Sequence, residues 1–446
     1  MRSKRDSGPV PAAHPGTRAA RRLAAVLALA CAACGGEEPR SLLLISVDTL
    51  RPDGLGFGGN PAGTSPALDA LAAEGTVFEH AFSPAGWTLP SMATLLTGLH
   101  PRDHGATTYA YRIRDSVATL PALLDDRGYD TRAFVSHILL GADYGFARGF
   151  DEFDDSVLEA GNPHDVSTSE PLTDLVLQSL ERRPLGDPYF LWVHYFDPHF
   201  KYLEHPGFEV IGGRRRGRYD GEVAHTDRHI GRVLRALDDL GALDETVVVF
   251  TSDHGEEFQE HGGRFHDTLY DEVVRVPLVI RTPGMAPGRS LRFAHQIDLV
   301  PTLLPLLRID GLEFGSGPGL DLFGPAPPAD RPMFAERDVP LPFRQRSVRV
   351  GDDKLVVIDH LEVQVDASRK APAKTRYKPR LEKGVSQFDL AADPGERVDV
   401  YREDSERSAV LMSLLLGHFD EGVGPENEVE LDEETLRKLR DLGYIQ

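Results

Sequence analysis

Cysteine is almost missing from this sequence: 446 residues contain only Cys31 and Cys34, and none follows. Beyond residue 34 there is therefore no disulfide framework and no CxxC metal motif, so the fold must rest on a hydrophobic core. The apolar fraction of 41% is enough for one large core, or a large core beside a small one. Long apolar runs are also lacking. The N-terminal stretch "LAAVLALACAAC" has twelve residues, whereas a membrane-spanning helix needs about 20. Basic charge is in deficit, with 49 Lys and Arg against 70 Asp and Glu and a net charge of -21. So acidic a surface argues against general binding to nucleic acid or other polyanions. Two local basic stretches stand apart, "GGRRRGR" at 212–218 and "RKAPAKTRYKPR" at 369–380. Both read as solvated loops, and either could steer an anionic substrate.

What is present begins with an N-terminus unlike the rest. Residues 1–22 are basic and rich in Pro and Ala, and the apolar run follows Arg21-Arg22, the pattern of a signal peptide. The following "AACGGEEP" resembles a bacterial lipoprotein processing site, with small residues before Cys34 and a flexible spacer at 34–40. The expectation is removal of residues 1–33 and lipidation of Cys34, with Cys31 as the modified residue, simple secretion or an uncleaved anchor as the alternatives. That would put an exported protein in the cell envelope, anchored to a bacterial membrane and facing the periplasm or exterior. Removal takes away six basic groups and one acidic one, leaving -26.

"SLLLISVD" is an apolar run ending in an acid, which predicts a strand buried on both faces with its carboxyl end at a loop. "ETVVVFTSDHGEEF" repeats the pattern and ends in Asp253-His254. The shorter runs "TRAFVSHIL", "PYFLWVHYFDPH" and "RVPLVIRTPG" alternate with helical stretches such as "SPALDALAAEG" and "TDRHIGRVLRALDDLG". Strands alternating with helices predict an α/β sandwich around a large, mostly parallel sheet at 41–330. In such sheets ligands gather at the carboxyl ends of the strands, here after residues 47, 196 and 252. Past the Pro-rich "GPAPPADRP", short alternating strands predict a small antiparallel subdomain at 331–446, ending in an amphipathic helix closed by Gly443.

The chemistry-bearing residues fall at those strand ends. Asp48 follows one buried strand and Asp253-His254 another, a mix of oxygen and imidazole donors that suits a divalent cation. Thr88 lies two residues before Pro90, in the predicted first turn of a helix through "SMATLLTG". A hydroxyl there sits among unpaired N-H groups at the positive end of the helix dipole, where it could attack a bound anion. By itself the position would also suit a helix cap.

The segments "SVDTLRPDGLG", "SPAGWTLPSMATLLTGLHPRDHG", "FLWVHYFDPH", "YDGEVAHTD", "TSDHGEEFQEHG", "HDTLYDEVVRVPLVI", "IDLVPTLL" and "FDLAADPGE" occur in an order that resembles the sulfatase family of the alkaline phosphatase superfamily. The resemblance implies a large α/β domain with a mixed central sheet and a smaller C-terminal subdomain with an antiparallel sheet. It implies a site for one divalent cation (Ca, Mn, Mg or Zn) built from Asp48, Asp253, His254 and Thr88, with a second metal left open. Asp197 and His194 are candidates for that second metal. Thr49 stands where many members have a second acid. His199 takes the place of a histidine that assists the leaving oxygen, and His266 that of a lysine that grips the sulfate. His104 and His261 would contact substrate or support the site, and Arg51 and Glu256 would support it. Members that cleave sulfate carry Cys or Ser in C/S-x-P-x-R, oxidised to formylglycine; here Thr88 and Met92 fill the first and last positions, so no formylglycine is expected. A threonine nucleophile favours phosphoesters or phosphodiesters over sulfate esters. The expected partner is an anionic ester on a small molecule, a glycan or a lipid headgroup. Two alternatives stay open: a transferase of phospho-headgroups in the envelope, and an inert protein of the same fold that binds anionic glycans.

Overall fold

Seven residues, Ser41–Val47, form strand β1, and none has a solvent-facing side chain. The reason is visible in the packing. Leu42 and Leu44 enter one core layer, with the helices Thr88–Thr97 and Leu299–Leu306, while Leu43, Ile45 and Val47 enter the other, with Pro66–Glu74, Ser169–Arg182 and Arg215–Asp239. Helices on both faces leave no room for alternation with polar residues, which is why the strand reads as an unbroken apolar run. The computed structural model describes residues 38–160, 164–208, 215–309, 317–338, 343–360, 384–419, 428–429 and 433–441.

The remaining strands of the large sheet are β2 (Thr76–Phe82), β3 (Asp130–Val135), β4 (Glu152–Asp154), β5 (Tyr189–Tyr195), β6 (Thr246–Ser252), β7 (Arg275–Val276), β8 (Leu278–Arg281) and β9 (Gly288–His295). Their order is β4-β3-β5-β1-β6-β8-β2-β7, with β9 pairing with β2. The run β4 to β6 is parallel, and β8 enters antiparallel to both β6 and β2. Register in the parallel part places Val47 opposite both Tyr195 and Ser252, and Val135 opposite His194. The segments that leave these four strands therefore start side by side at one sheet edge. A mixed, mostly parallel sheet between helices is the architecture expected from the sequence.

A second sheet, β10 (Pro332–Arg337), β11 (Phe343–Val350), β12 (Asp353–His360) and β13 (Gly384–Asp389), is antiparallel throughout. The helix Glu406–Phe419 covers it, setting Leu411 and Leu415 against Phe334, Val348 and Leu355. Glu336 N-H donates to Pro84 O at 2.9 Å, and Glu336 bridges to Ala85. Strand β10 thus lies directly beside the segment that leads into Thr88.

One expectation needs correction. The described part of the basic stretch, 215–218, is the first turn of the Arg215–Asp239 helix rather than a loop. Arg216 pairs with Asp53 and Asp220, and Arg218 with Glu204. Arg215 lies over the rings of Phe200 and Phe265. Internal partners thus hold these cations. Cys31, Cys34, the signal segment, the stretch 369–380 and Gly443 lie outside the described residues. Among the described residues no helix is long and apolar enough to cross a membrane.

Candidate functional site

The Thr88–Thr97 helix starts abruptly. Trp87 is fully extended, at φ -163° and ψ 163°, and no side chain caps the helix. Thr88 occupies the first helical position, where backbone N-H groups have no partner within the helix. Gly98 closes the other end in a left-handed conformation, φ 64°, with its N-H on Thr94 O. All ten helix residues are buried.

Thr88 Oγ1 lies 3.3 Å from His254 Nε2. That same nitrogen is 3.3 Å from Asp253 Oδ2 and 3.7 Å from Asp48 Oδ1. Ligand-type atoms of Asp48, Asp253 and His254 all lie within 4.8 Å of one another, and all three residues are fully buried. His254 Nδ1 is 2.9 Å from Gly255 O. A carbonyl only accepts, so Nδ1 carries the proton and Nε2 presents a lone pair to the cluster, the form a metal ligand requires. Both oxygens of Asp48 and Oδ2 of Asp253 are buried without a donor in hydrogen-bonding geometry among the described residues. Burial first, then the neighbouring Asp253 and Glu256 carboxylates, hold Asp48 well above the usual carboxylate range. Burial also raises Asp253 and lowers His254. Three carboxylate oxygens without a hydrogen bond among the described residues, two on Asp48 and one on Asp253, facing one imidazole lone pair, fit a divalent cation.

The backbone is shaped to bring them there. Thr49, a β-branched residue, takes φ 54°, a conformation that L residues of this shape rarely tolerate. The turn lets Thr49 N-H donate to Asp253 Oδ1 at 3.1 Å, joining the ends of β1 and β6. Gly255 lies so close to the Asp271–Val274 segment that a Cβ on it would sit 2.2 Å from Glu272 O. Only glycine fits that position.

His266 follows His254 closely, ring centroids 4.6 Å apart, and His199 lies 5.4 Å from His266. His199 Nδ1 is 2.9 Å from Phe200 O, which leaves Nε2 as a buried lone pair with no donor among the described residues. Burial lowers both imidazoles well below their usual range, so both rest neutral. Thr88, Asp48, Asp253, His254, His199 and His266 therefore come together. His104 does not join them. Its Nε2 meets Pro90 O and Thr94 Oγ1, and its Nδ1 accepts from Ala106 N-H, so the ring braces the helix. His261 lies elsewhere, stacked on Tyr270 and 3.4 Å from Glu272. Nor is Asp197 free: it accepts from Ser167, Thr168 and Ser169 at the start of the Ser169–Arg182 helix. His194 Nδ1 is 2.9 Å from Ser46 Oγ. Arg51 is tied to Asp53, Glu260 and Glu256 O, and buried Glu256 is pushed up to about 8 by burial.

Sequence reasoning passed over His137. It lies two residues after β3, with Nε2 3.5 Å from Asp48 Oδ2. Its Nδ1 accepts from Leu139 N-H, so Nε2 carries the proton and faces Asp48 with an N-H rather than a lone pair, outside hydrogen-bonding geometry. The signal that exposed Asp48, a polar residue at the carboxyl end of an apolar strand, was present in "TRAFVSHIL" as well. Also missed were His164, whose ring is 5.0 Å from that of His199, and Arg337.

Comparison with known proteins agrees with this architecture. A model of the sulfatase family matches residues 40–309. Arylsulfatase A of Bos taurus is 28% identical, over 92% of this chain and 94% of that protein. Phosphonate monoester hydrolase of Agrobacterium radiobacter shares the fold with a TM-score of 0.65 at 21% identity, over 85% of this chain and 95% of that one. A protein solved with its substrate D-glucosamine-2-N,6-O-disulfate shares it with a TM-score of 0.66 at 20% identity, over 91% and 99%.

Proposed function

The chain belongs to the sulfatase family of ester hydrolases, and from that premise we propose that Thr88 is its nucleophile and a phosphorus ester its substrate. The observation that supports this reading best is the Thr88 hydroxyl at 3.3 Å from His254 Nε2, on the first turn of a buried helix beside the Asp48 carboxylate and Asp253 Oδ2, which accept no hydrogen bond among the described residues. Asp48, Asp253, His254 and Thr88 would hold one divalent cation. When bound, it supplies neutralisation of the ester oxygens and a lower pKa at the hydroxyl. The mixed donor set suits Mn or Zn as well as Mg or Ca.

The chain's own residues then divide the work. The open N-terminal turn of the Thr88–Thr97 helix binds the ester anion through backbone N-H groups. Thr88 Oγ1 forms the bond to phosphorus while the bond to the leaving oxygen breaks, giving a phosphothreonine. Water attacks that phosphorus, the bond to Thr88 breaks, and phosphate leaves. His199 Nε2 would take the Thr88 proton and pass it to the leaving oxygen, then take a proton from the attacking water and return it to Thr88 Oγ1, and His266 would contact a non-bridging oxygen. Threonine cannot enter the formylglycine route, which favours phosphorus over sulfur. The ester belongs to a small molecule, glycan or lipid headgroup presented at the cell envelope, where lipidation at Cys34 would retain the protein.

The test is turnover of nitrophenyl phosphate, bis-nitrophenyl phosphate, a phenylphosphonate ester and nitrophenyl sulfate with each divalent ion, beside Thr88→Ala. Phosphorus esters should be cleaved, and Thr88→Ala should lose turnover by at least about a thousandfold. Full activity in Thr88→Ala removes the nucleophile assignment; turnover of the sulfate ester alone removes the preference for phosphorus.

A further inference from the structure

Arg337 ends strand β10, one residue after Glu336, which hydrogen-bonds the Pro84–Ala85 segment leading to Thr88. Its guanidinium reaches the other wall of the site: Nε donates to His266 O at 3.1 Å and Nη2 to Asp267 Oδ1 at 2.5 Å. Nη1 meets no acceptor among the described residues, although the side chain is only 5% exposed. Asp267 compensates the charge, and the Nη1 edge is left free to meet a further acceptor. The sequence positions expected to bring positive charge to the ester hold Met92 and His266 instead, and His266 rests neutral. Arg337 thus stands between the approach to the nucleophile and the His266 loop, where a fixed cation is otherwise lacking by that comparison.

We propose that Arg337, supplied by the small sheet, binds a non-bridging oxygen of the tetrahedral ester anion through Nη1. Asp267 fixes the plane of the fork and His266 O its tilt, so one N-H edge is aimed rather than free to rotate. The small sheet then completes the substrate site of the large one. This rests on the reading of Thr88 as an ester-cleaving centre.

Inorganic phosphate and sulfate are the probes. Calorimetric titration of wild type, Arg337→Gln, Arg337→Lys and Asp267→Asn with each anion measures the grip without turnover, and KM and kcat are read on the substrate turned over. Arg337→Gln should weaken anion binding and raise KM by about tenfold to a hundredfold, with Arg337→Lys in between. Asp267→Asn, which loosens the loop but keeps the cation, should weaken binding less than Arg337→Gln. In Arg337→Ala, added methylguanidinium should restore part of the binding, an effect that a purely structural role would not produce. Wild-type anion affinity and KM in folded Arg337→Gln overturn the proposal, as does equal loss in Arg337→Gln and Asp267→Asn without rescue. Those outcomes leave wild-type turnover through Thr88 intact, whereas wild type that neither binds these anions nor turns over any ester removes both readings.

Discussion

Replacing Asp48 with asparagine should stabilise the metal-free protein and remove most of its response to a divalent cation. The ligand atoms of Asp48, Asp253 and His254 lie within 4.8 Å of one another. At that separation and an effective dielectric of about 20, two unit negative charges repel by about 3.5 kcal/mol. Unfolding entropy of about 2.1 cal/mol/K per residue makes 1 kcal/mol worth roughly 1.2 °C in a chain of about 400 residues. Metal-free Asp48→Asn should therefore melt up to about 4 °C above metal-free wild type at neutral pH. Wild type with a cation at a hundred times its Kd gains about 2.7 kcal/mol, or roughly 3 °C, and the variant should lose most of that gain. The pH dependence has a fixed sign. An unfolded chain ionises Asp48 near its ordinary 3.8, while burial and Asp253 keep it protonated to higher pH in the fold. Between those limits the unfolded chain binds fewer protons, so metal-free wild type loses stability as pH rises. The response to metal should grow over the same range, because protons and cation compete for the same oxygens. Thermal melts after chelation, repeated with each divalent ion between pH 5 and 8, measure all of this. Asp48→Asn with a lower metal-free Tm, or with an undiminished response to metal, would refute the assignment of Asp48 as a ligand.

Three other perturbations have directions set by the geometry. Glu256 is held at about 8 against an ordinary 4.5, so wild type loses stability as pH rises between those values. Glu256→Gln should recover about 3 kcal/mol at pH 7 and almost nothing at pH 4, read from urea unfolding at both. Lys354 is buried and pairs at 2.7 Å with both Asp271 and Glu396; Lys354→Met leaves buried Glu396 without a Lys or Arg partner among the described residues and Asp271 with Arg349 alone, and should cost about 3–5 kcal/mol by denaturant titration. Gly255→Ala puts a methyl 2.2 Å from Glu272 O, displacing His254, so kcat should fall about a hundredfold. Unchanged turnover there would show that the loop's position is not critical.

Those strands whose residues sit in one environment along their whole length were legible. β1, β5 and β6 are buried on both faces, and an unbroken apolar run is what two flanking helix layers require. β2 and β9 were passed over because "TVFEHAF" and "GRSLRFAH" mix polar and apolar residues without strict alternation. β9 is half exposed and bulged against β2, so no single face governs its composition. The Arg215–Asp239 helix was foreseen only from residue 226, since Arg215–Arg218 resembles a charged loop. Its cations are matched by Asp53, Asp220 and Glu204, distant or nearby in sequence, and no local pattern reports such pairing.

The site divides along the same line. Asp48, Asp253 and His254 could be read because Asp48 follows the end of β1 and Asp253-His254 that of β6, and parallel register lines those two ends up without further information. Thr88 could be read because a helix start is a local event. The groups that would decide which anion is held are different: Arg337 arrives from another sheet, and its neighbourhood to His266 follows from how β10 runs beside Pro84 and Ala85, not from any spacing within a segment. His137 is intermediate, at a strand end like Asp48 but with its donor direction fixed only by the Leu139 N-H on its other nitrogen. The proposed nucleophile and metal ligands are thus carried by local pattern, while the proposed grip on the substrate depends on contacts between sheets. On the proposed roles of Thr88 and Arg337, a chain could keep the first and alter the second through a single residue at the end of β10, and the threonine would then identify the chemistry better than the ester.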